Sequence, residues 1–293
     1  MTEVHRTPDE RFADLPDFPW EPKYFDWDGI RLARIDEGAG EPVVLFHGEP
    51  TWSFLYRKVM PPLLAAGHRC IAPDYAGFGR SDKPTDFDWY SYDSHTASMI
   101  ALLDELEVRG ATFVVQDWGG PIGMRIAAER PELCARIVVM DTGLFTGHQP
   151  MSDAWKAFRD FVARTEDLPI SFLVGGACKT KPSEEVLAAY DAPFPEPAAK
   201  QGARAFPLFL PTTPDAPGAA AGQRTLEAMV ASDRPVLMLW ADSDPVLTLD
   251  VGRAIAARTG WPEPEVIADA SHFLQEDQGE LIGRRIATWL SES

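Results

Sequence analysis

The 293-residue sequence predicts an α/β fold, with a mostly parallel central sheet flanked by helices and an inserted helical segment. Three observations support this fold class. Short apolar runs without polar alternation are typical of strands that are buried on both faces of a parallel sheet. Helical patterns separate these runs, as expected for an open sheet with helices on both faces. Residues 145–219, an interval of about 75 residues, contain proline-broken helical fragments and no strand candidate, and this interval is too long for a loop.

The elements follow one another along the chain. Residues 23–37 alternate around Asp28-Gly29, which is the signature of a β-hairpin. The strand candidates that follow are Pro42 to Phe46, Cys70 to Pro73, Thr112 to Val115, Arg136 to Met140, Val236 to Trp240 and Glu265 to Ala268. The helix candidates are Phe54 to Ala66, Tyr92 to Val108, Gly120 to Glu129, Leu249 to Arg258 and Gly279 to Leu290. We expect a core domain at residues 1–144 and 219–293, and a helical cap at residues 145–218 near the carboxyl ends of the strands, where ligands bind.

Charge and composition argue against several classes of function. The chain has 45 Asp and Glu against 27 Lys and Arg, a net charge of −18, so we expect no nucleic-acid partner. No apolar run approaches the ~18 residues of a membrane helix, and residues 1–17 lack the apolar stretch of a signal peptide. The three cysteines show no spacing typical of a disulfide framework or a zinc site. We expect a cytoplasmic protein with no membrane partner and no metal.

The segment FVVQDWGG, Phe113 to Gly120, leads from a strand candidate straight into a helix candidate. This is the layout of a nucleophile elbow, in which a sharp turn presents one side chain to a pocket. Asp117 stands where serine stands in the usual G-x-S-x-G pattern, which the chain lacks elsewhere. Taken alone, the position suits an N-cap aspartate equally well. As a nucleophile, a carboxylate attacks saturated carbon and forms an ester that water must then hydrolyse.

Hydrolysis of such an ester requires a general base and an oxyanion hole. His272 follows the last strand candidate, on a loop at the carboxyl edge of the sheet, and is the candidate base. An acid that orients its imidazole is offered by Asp242 or Asp244 after the preceding strand, and by Asp141 after an earlier strand.

The loop His47-Gly48-Glu49-Pro50 follows the strand candidate that ends at Phe46. Gly48 permits a tight turn, so that the amide of Glu49 faces the pocket beside the amide of Trp118. Two such amides form an oxyanion hole in this architecture. The glycines of Gly77 to Ser81 lack the spacing of a phosphate-binding loop, so we expect no nucleotide.

Several strings together resemble those of haloalkane dehalogenases, which are α/β-hydrolases with a helical cap. They are HGEPTWSFLYR (47–57), DYAGFGRSDKP (74–84), VVQDWGG (114–120), DASHFLQED (269–277) and, in the insertion, AAYDAPFPEP (188–197). The resemblance extends over nearly the whole chain. It implies that water cleaves a carbon–halogen bond to give an alcohol, a halide ion and a proton, with no cofactor or metal. The expected partners are a small halogenated alkane and the product halide, and we expect a monomer.

The resemblance also implies roles for individual residues. The nucleophile falls on Asp117 and the base on His272. In the branch of the family that has glutamate after His-Gly, as Glu49 is here, the acid falls on Asp244. Another branch has asparagine at that place and takes its acid from the earlier strand, where Asp141 lies.

In the glutamate branch, the halide is held by the tryptophan after the nucleophile and by a tryptophan of the cap. These fall on Trp118 and on Trp155, the only tryptophan in the insertion. Indole N–H groups donate but do not accept, so they can hold a halide without introducing a competing base. Apolar residues expected to line the alkyl slot are Phe158, Phe161, Phe172, Leu173 and Val174.

Three alternative functions remain open at this point. An epoxide hydrolase shares the aspartate nucleophile and histidine base but needs cap tyrosines, and the insertion contains only Tyr190. A fluoroacetate-type dehalogenase needs arginines beside the nucleophile, where this chain has Trp118 and Gly119. A binding protein with a hydrolase fold but no activity would not need the set of Asp117, His272 and an acid.

Overall fold

A computed structural model describes residues 2–292 of the chain. The strands are β1 (Val4–His5), β2 (Lys23–Trp27), β3 (Ile30–Glu37), β4 (Pro42–Phe46), β5 (Arg69–Pro73), β6 (Lys83–Pro84), β7 (Ala111–Gln116), β8 (Cys134–Met140), β9 (Val236–Ala241) and β10 (Glu265–Ile267). The α-helices are α1 (Met60–Ala65), α2 (Tyr92–Glu105), α3 (Gly119–Glu129), α4 (Asp153–Arg164), α5 (Ile170–Gly176), α6 (Glu184–Asp191), α7 (Gln201–Phe209), α8 (Ala219–Val230), α9 (Leu249–Thr259) and α10 (Leu274–Glu292).

The main sheet has eight strands in the order β10-β9-β8-β7-β4-β5-β3-β2. Strands β2 and β3 are antiparallel to their neighbours, and the remaining pairs are parallel. Every residue of β7 and β9 is buried, because helices cover both faces. Helix α1 packs on α10, whereas α2, α3, α8 and α9 pack in succession as a separate layer. The predicted α/β class and mostly parallel sheet are confirmed.

The predicted hairpin is confirmed, since β2 and β3 pair across a turn at Asp28 and Gly29. Both turn residues have positive φ, 53° and 78°, as a two-residue hairpin turn with the right twist requires. The other six predicted strands are present within one or two residues of the expected bounds. The short pair β1–β6 was not predicted, because two residues carry no periodicity.

The helices differ from the sequence prediction in several places. Helix α2 ends at Glu105, three residues before the predicted Val108, and α8 was not predicted. The helix expected over Phe54 to Ala66 is a 3₁₀ helix at Ser53–Lys58 followed by α1, whose first turn contains prolines. Proline has no N–H to continue a helix but suits its first turn, so the chain begins a new helix there. Helix α10 begins at Leu274, before the predicted start at Gly279, and it is kinked at Gln278.

Residues 145–218 contain helices α4 to α7, a 3₁₀ helix at Pro197–Lys200 and connections, without a strand, as the sequence predicts. Prolines set several of these bounds: Pro169 precedes α5 and Pro197 begins the 3₁₀ helix. Among residues 2–292, every helix is too short or too polar to span a lipid bilayer. Over the same range, no group of His, Cys, Asp or Glu side chains is arranged to hold a metal ion.

Candidate active site

Asp117 lies at the turn between β7 and α3, with a positive φ of 48°. A non-glycine residue rarely adopts this conformation, and here it is held by the amide of Asp117 donating to Asp141 O (3.0 Å). The turn also packs very closely against neighbouring segments. A Cβ on Gly119 would lie 2.1 Å from Phe46 O, and a Cβ on Gly120 would lie 1.8 Å from Thr142 Oγ1. The VVQDWGG string is therefore a strained strand–turn–helix in which both positions after Trp118 require glycine.

The Asp117 carboxylate accepts hydrogen bonds from the two predicted oxyanion-hole amides. The amide of Glu49 donates to Asp117 Oδ1 at 2.8 Å, and the amide of Trp118 also donates to this carboxylate. The side chain of Asp117 does not cap α3, whose N-cap residue is Trp118, so the geometry does not support the simple capping interpretation. Gly48 is needed for a reason other than the predicted one. Its φ is not positive, but a Cβ there would lie 2.4 Å from Asp117 Cβ.

His272 connects two carboxylates at the carboxyl edge of the sheet. Its Nδ1 lies 2.7 Å from Asp244 Oδ2, and its Nε2 lies 3.7 Å from Asp117 Oδ2. Asp244 is itself held in place because its Oδ1 accepts the amides of Val246 (2.7 Å) and Leu247 (3.0 Å). The structure thus aligns a nucleophile candidate, a base candidate and an acid candidate.

Asp141, the alternative acid, points elsewhere. Its Oδ1 accepts the amide of Ala241 (3.0 Å), and its Oδ2 has no hydrogen-bond partner among the described residues. Burial, followed by the charge of Asp244, raises the pKa of Asp141 well above its ordinary value. Burial therefore disfavours the charged form of this carboxyl. Asp242 is exposed and accepts the amides of Asp269 and Ala270, away from the imidazole.

The charge state of the site follows from competing effects on His272. Burial alone lowers its pKa, but the charge and hydrogen bond of Asp244, followed by the charge of Asp117, outweigh burial and raise the pKa to about 10. Burial raises the pKa of Asp117, while His272 and the amides of Trp118 and Glu49 oppose that rise. The side chain of Glu49 is buried beside Asp117, and burial, followed by the charge of Asp117, raises its pKa well above the ordinary value.

A cavity of about 710 Å³ opens above these groups. Asp117, Trp118 and His272 contribute to its walls, together with Trp155 of α4 and Leu173 of α5. Its other walls include apolar side chains from the insertion and from α9, namely Met151, Phe158, Phe172, Pro207, Leu210, Val251, Ala254 and Ile255. A largely apolar cavity with a few convergent polar groups suits a small hydrophobic substrate.

Known proteins match this chain along its length. A family model of the α/β hydrolase fold matches residues 41–278. The haloalkane dehalogenase of Psychrobacter cryohalolentis is 40% identical over 303 residues, covering 99% of each chain, and haloalkane dehalogenase 1 of Mycobacterium tuberculosis is 41% identical, covering 98% of each. The solved structure of the haloalkane dehalogenase DpaA from Paraglaciecola agarilytica is 35% identical and superposes with a TM-score of 0.90 over 97% of each chain.

The chain belongs to the haloalkane dehalogenase family. It is accordingly a hydrolase of the α/β-hydrolase fold, as the sequence motifs predicted.

Trp118 and Trp155 both lie on the cavity wall of this family member, 6% and 8% exposed. Trp155 is in the first turn of α4, where its amide donates to the N-cap Ser152. Two other tryptophans use their indole N–H in hydrogen bonds within the protein: Trp52 donates to Ala189 O and Trp240 donates to Leu247 O. No hydrogen bond from the indole N–H of either wall tryptophan is seen among the described residues.

The predicted slot residues divide into two groups. Phe158, Phe172 and Leu173 line the cavity, whereas Phe161 and Val174 do not. Phe161 is 37% exposed on the outer side of α4, because the inner face of that helix carries Trp155, Phe158 and Val162. Val174 is fully buried in the core instead.

The sequence analysis did not predict two features of the site. These are the contact of Gln116 with the His272 loop and the face of α9 that lines the cavity. The side-chain amide of Gln116 donates to His272 O at 3.0 Å and so connects the loop that carries His272 to β7, the strand that precedes Asp117. The available signal was a polar residue ending an otherwise apolar strand. For α9, the signal was the spacing of Val251, Ala254 and Ile255 on one helical face.

Proposed function

We propose that the protein hydrolyses a haloalkane in two half-reactions, with Asp117 as the nucleophile. The observation that carries this proposal is the line Asp244–His272–Asp117 beneath an apolar cavity. Asp117 Oδ1 is occupied by the amide of Glu49, so Oδ2, which faces His272, is the oxygen free to attack. It forms a C–O bond to the halogen-bearing carbon, the C–X electron pair leaves with the halide, and an alkyl ester of Asp117 remains.

In the second half-reaction, water hydrolyses the ester at the Asp117 carbonyl carbon. His272 takes a proton from that water, and Asp244 stabilises the imidazolium and holds Nδ1 as the donor. The amides of Glu49 and Trp118 stabilise the negative charge that develops on Oδ1. The bond between the Asp117 carbonyl carbon and the alkyl oxygen then breaks, and the alkyl oxygen takes a proton and leaves as the alcohol. The Asp117 carboxylate is regenerated, and the reaction as a whole releases one proton to solvent.

The protonation of His272 fits this order of events. In the free protein, the charges of Asp244 and Asp117 hold its pKa near 10, which would leave no free base at pH 7. Alkylation converts Asp117 into a neutral ester and removes one of those charges. The imidazole pKa then falls, so a larger fraction of His272 is neutral and able to accept a proton in the second half-reaction.

The halide leaves toward the indole N–H groups of Trp118 and Trp155. Their position on the cavity wall beside Asp117 supports this role. A neutral donor stabilises a developing anion without attracting a competing carboxylate.

In the part of the chain that the structure describes, the cavity lacks the side chains that the two alternative reactions need beside the nucleophile. An epoxide hydrolase needs a tyrosine that protonates the epoxide oxygen, but Tyr190 donates its hydroxyl to Glu276 Oε2 (2.9 Å), and no tyrosine of residues 2–292 lines the cavity. A fluoroacetate-type reaction needs arginines beside the nucleophile. The arginine on the cavity wall, Arg258, lies near the end of α9.

We also propose that residues 145–218 form a cap over the core domain of residues 1–144 and 219–293. The contribution of Trp155, Phe158 and Leu173 to the cavity supports this division. A monomeric, cytoplasmic protein that uses no cofactor, metal, nucleic acid or membrane remains our expectation. A tetramer is described for the relative from Paraglaciecola agarilytica, so the molar mass in solution needs to be measured by light scattering.

Halide release from a small substrate panel tests the proposed function. The protein should release bromide and form 1-butanol from 1-bromobutane, and should leave styrene oxide and fluoroacetate unchanged. Asp117→Ala, the matched control, should release no bromide. Turnover of the epoxide with no bromide from the bromoalkane would refute the proposal.

A further inference from the structure

Two carboxylates shortly after His272, those of Glu276 and Asp277, connect this part of the chain to the inserted segment of residues 145–218. Glu276, in the first turn of α10, is 5% exposed and accepts the Tyr190 hydroxyl on Oε2 at 2.9 Å. The same carboxylate accepts both Arg57 Nη atoms at 2.6 Å. Burial alone raises the pKa of Glu276, but Arg57 and then Lys58 outweigh burial and lower it, so the group is ionised. Tyr190 belongs to α6, which makes this a contact between the insertion and the helix that follows His272.

The second carboxylate, Asp277, makes a parallel connection. Its Oδ2 accepts the amides of Lys179 (2.8 Å) and Ser271 (3.0 Å), and its Oδ1 accepts the amide of Thr180 (2.9 Å). Lys179 and Thr180 belong to the connection between α5 and α6 of the insertion. Ser271 immediately precedes His272. Asp277 therefore joins the insertion to Ser271, the residue before His272. Glu276 joins the insertion to α10, the helix after His272.

Stability alone is a poor explanation for such a cluster. Burying charges is costly, and a buried ion pair can often be replaced by apolar residues without loss of stability. None of Tyr190, Glu276 or Asp277 lines the cavity, so none of them is placed to touch substrate. Their shared property is that they hold the loop carrying His272 from both sides.

We propose that Tyr190, Glu276 and Asp277 are positioning residues that hold His272 in place for ester hydrolysis. This inference rests on the two half-reactions proposed above. Asp117 has separate supports, namely the Asp141 carbonyl and the amides of Glu49 and Trp118. Weakening the positioning contacts therefore slows the His272-dependent half-reaction and spares attack by Asp117.

Tyr190→Phe is the sharpest test, because it removes one hydroxyl and keeps the ring that packs on Phe54. The Arg57–Glu276 pair remains, so the fold should be retained. Asp277→Asn is the second variant, because one amide oxygen cannot replace both carboxylate oxygens as acceptors. Tyr90→Phe is the matched control, since its buried hydroxyl also donates to a protein oxygen, Pro84 O (2.7 Å), away from the His272 loop.

Rapid-quench measurements with 1-bromobutane separate bromide release from alcohol formation, and intact-protein mass reports the alkyl-enzyme. In Tyr190→Phe and Asp277→Asn, alcohol formation should slow on the order of tenfold, because small misplacements of a catalytic group are costly. Bromide release should stay within about twofold of wild type, and the alkyl-enzyme should accumulate. Tyr90→Phe should match wild type in both steps.

A different result is expected if Tyr190, Glu276 and Asp277 only stabilise the fold. The variants would then melt at a lower temperature while keeping the wild-type ratio of the two rates, and the positioning proposal would be refuted. His272→Phe separates this failure from a failure of the mechanism. If His272→Phe accumulates alkyl-enzyme and the positioning variants do not, only the positioning proposal is wrong; if His272→Phe accumulates none, the two-step mechanism is wrong.

Discussion

Asp244→Asn and Asp141→Asn are the same substitution at two buried carboxyls near one imidazole, and we expect opposite outcomes. Asparagine at 244 can keep an oxygen toward the amides of Val246 and Leu247, which turns its NH₂ toward His272 Nδ1. Nδ1 must then accept a hydrogen bond, which leaves the proton on Nε2. Nε2 faces Asp117, so the imidazole cannot take a proton from water there.

The size of the effect follows from the charges around His272. Raising its pKa from 6.5 to about 10 corresponds to roughly 5 kcal/mol in favour of the imidazolium, and Asp244 is the main contributor to the rise. Losing most of that stabilisation costs on the order of 10²- to 10³-fold in ester hydrolysis, and the wrong tautomer brings the loss to about 10⁴-fold. Bromide release in the first turnover should persist.

Asp141→Asn should have little effect. Burial raises its pKa and disfavours its charged form, so an amide of nearly the same shape is a mild replacement for this carboxyl. The amide oxygen can still accept from the amide of Ala241. We expect kcat within about fivefold of wild type, since asparagine at this position would keep the shape of the side chain and the hydrogen bond from Ala241, and Asp141 has no role in orienting His272.

Steady-state bromide release, together with single-turnover alcohol formation, measures both variants. Thermal melting provides the control that each variant is folded. An inactive Asp141→Asn beside an active Asp244→Asn would refute the argument, because the acid would then come from the end of β8.

Other predictions concern the halide site, the separation of the half-reactions and pH. Trp118→Phe and Trp155→Phe should each weaken bromide binding about 10- to 100-fold, since a hydrogen bond to a charged group contributes ~1.5–3 kcal/mol. Quenching of tryptophan fluorescence by bromide measures the affinity, with Trp27→Phe as the control. Unchanged affinity in Trp155→Phe would place the second donor elsewhere. His272→Phe should release up to about one bromide per site and then stop, with its mass raised by the alkyl group and the adduct mapped to Asp117, because attack by a carboxylate needs no base; a variant without an adduct would contradict this. Because the folded-state pKa of His272 is raised from 6.5 to about 10, its stabilising contribution is complete below pH 6.5 and is lost as the pH rises through 10. The melting temperature of wild type should therefore fall more than that of His272→Gln between pH 7 and pH 10.5, and parallel curves would show that His272 is not the group responsible.

Much of the core could be predicted because its strands carry a local signal. A strand buried on both faces is a continuous apolar run, as Val236 to Trp240 is, whatever lies beside it. The nucleophile turn was equally visible, because the apolar strand, Asp117 and the following glycines are consecutive in the chain. Prolines marked the insertion for the same reason, since proline limits helices locally.

Only the tertiary structure decided which of these groups act on one another. Asp141 and Asp244 both follow buried strands, and nothing local shows that the Nδ1 of His272 contacts only one of them. The raised pKa of Glu49 likewise depends on its burial beside Asp117, a residue 68 positions away. The local sequence pattern indicates which face of a helix or strand is buried. Contacts between segments that are distant in the chain determine the hydrogen-bond partners and the pKa values. For that reason the sequence determined the sheet, the elbow and the family motifs. The carboxylate that contacts His272, the cavity walls and the other contacts of the His272 loop were decided by packing.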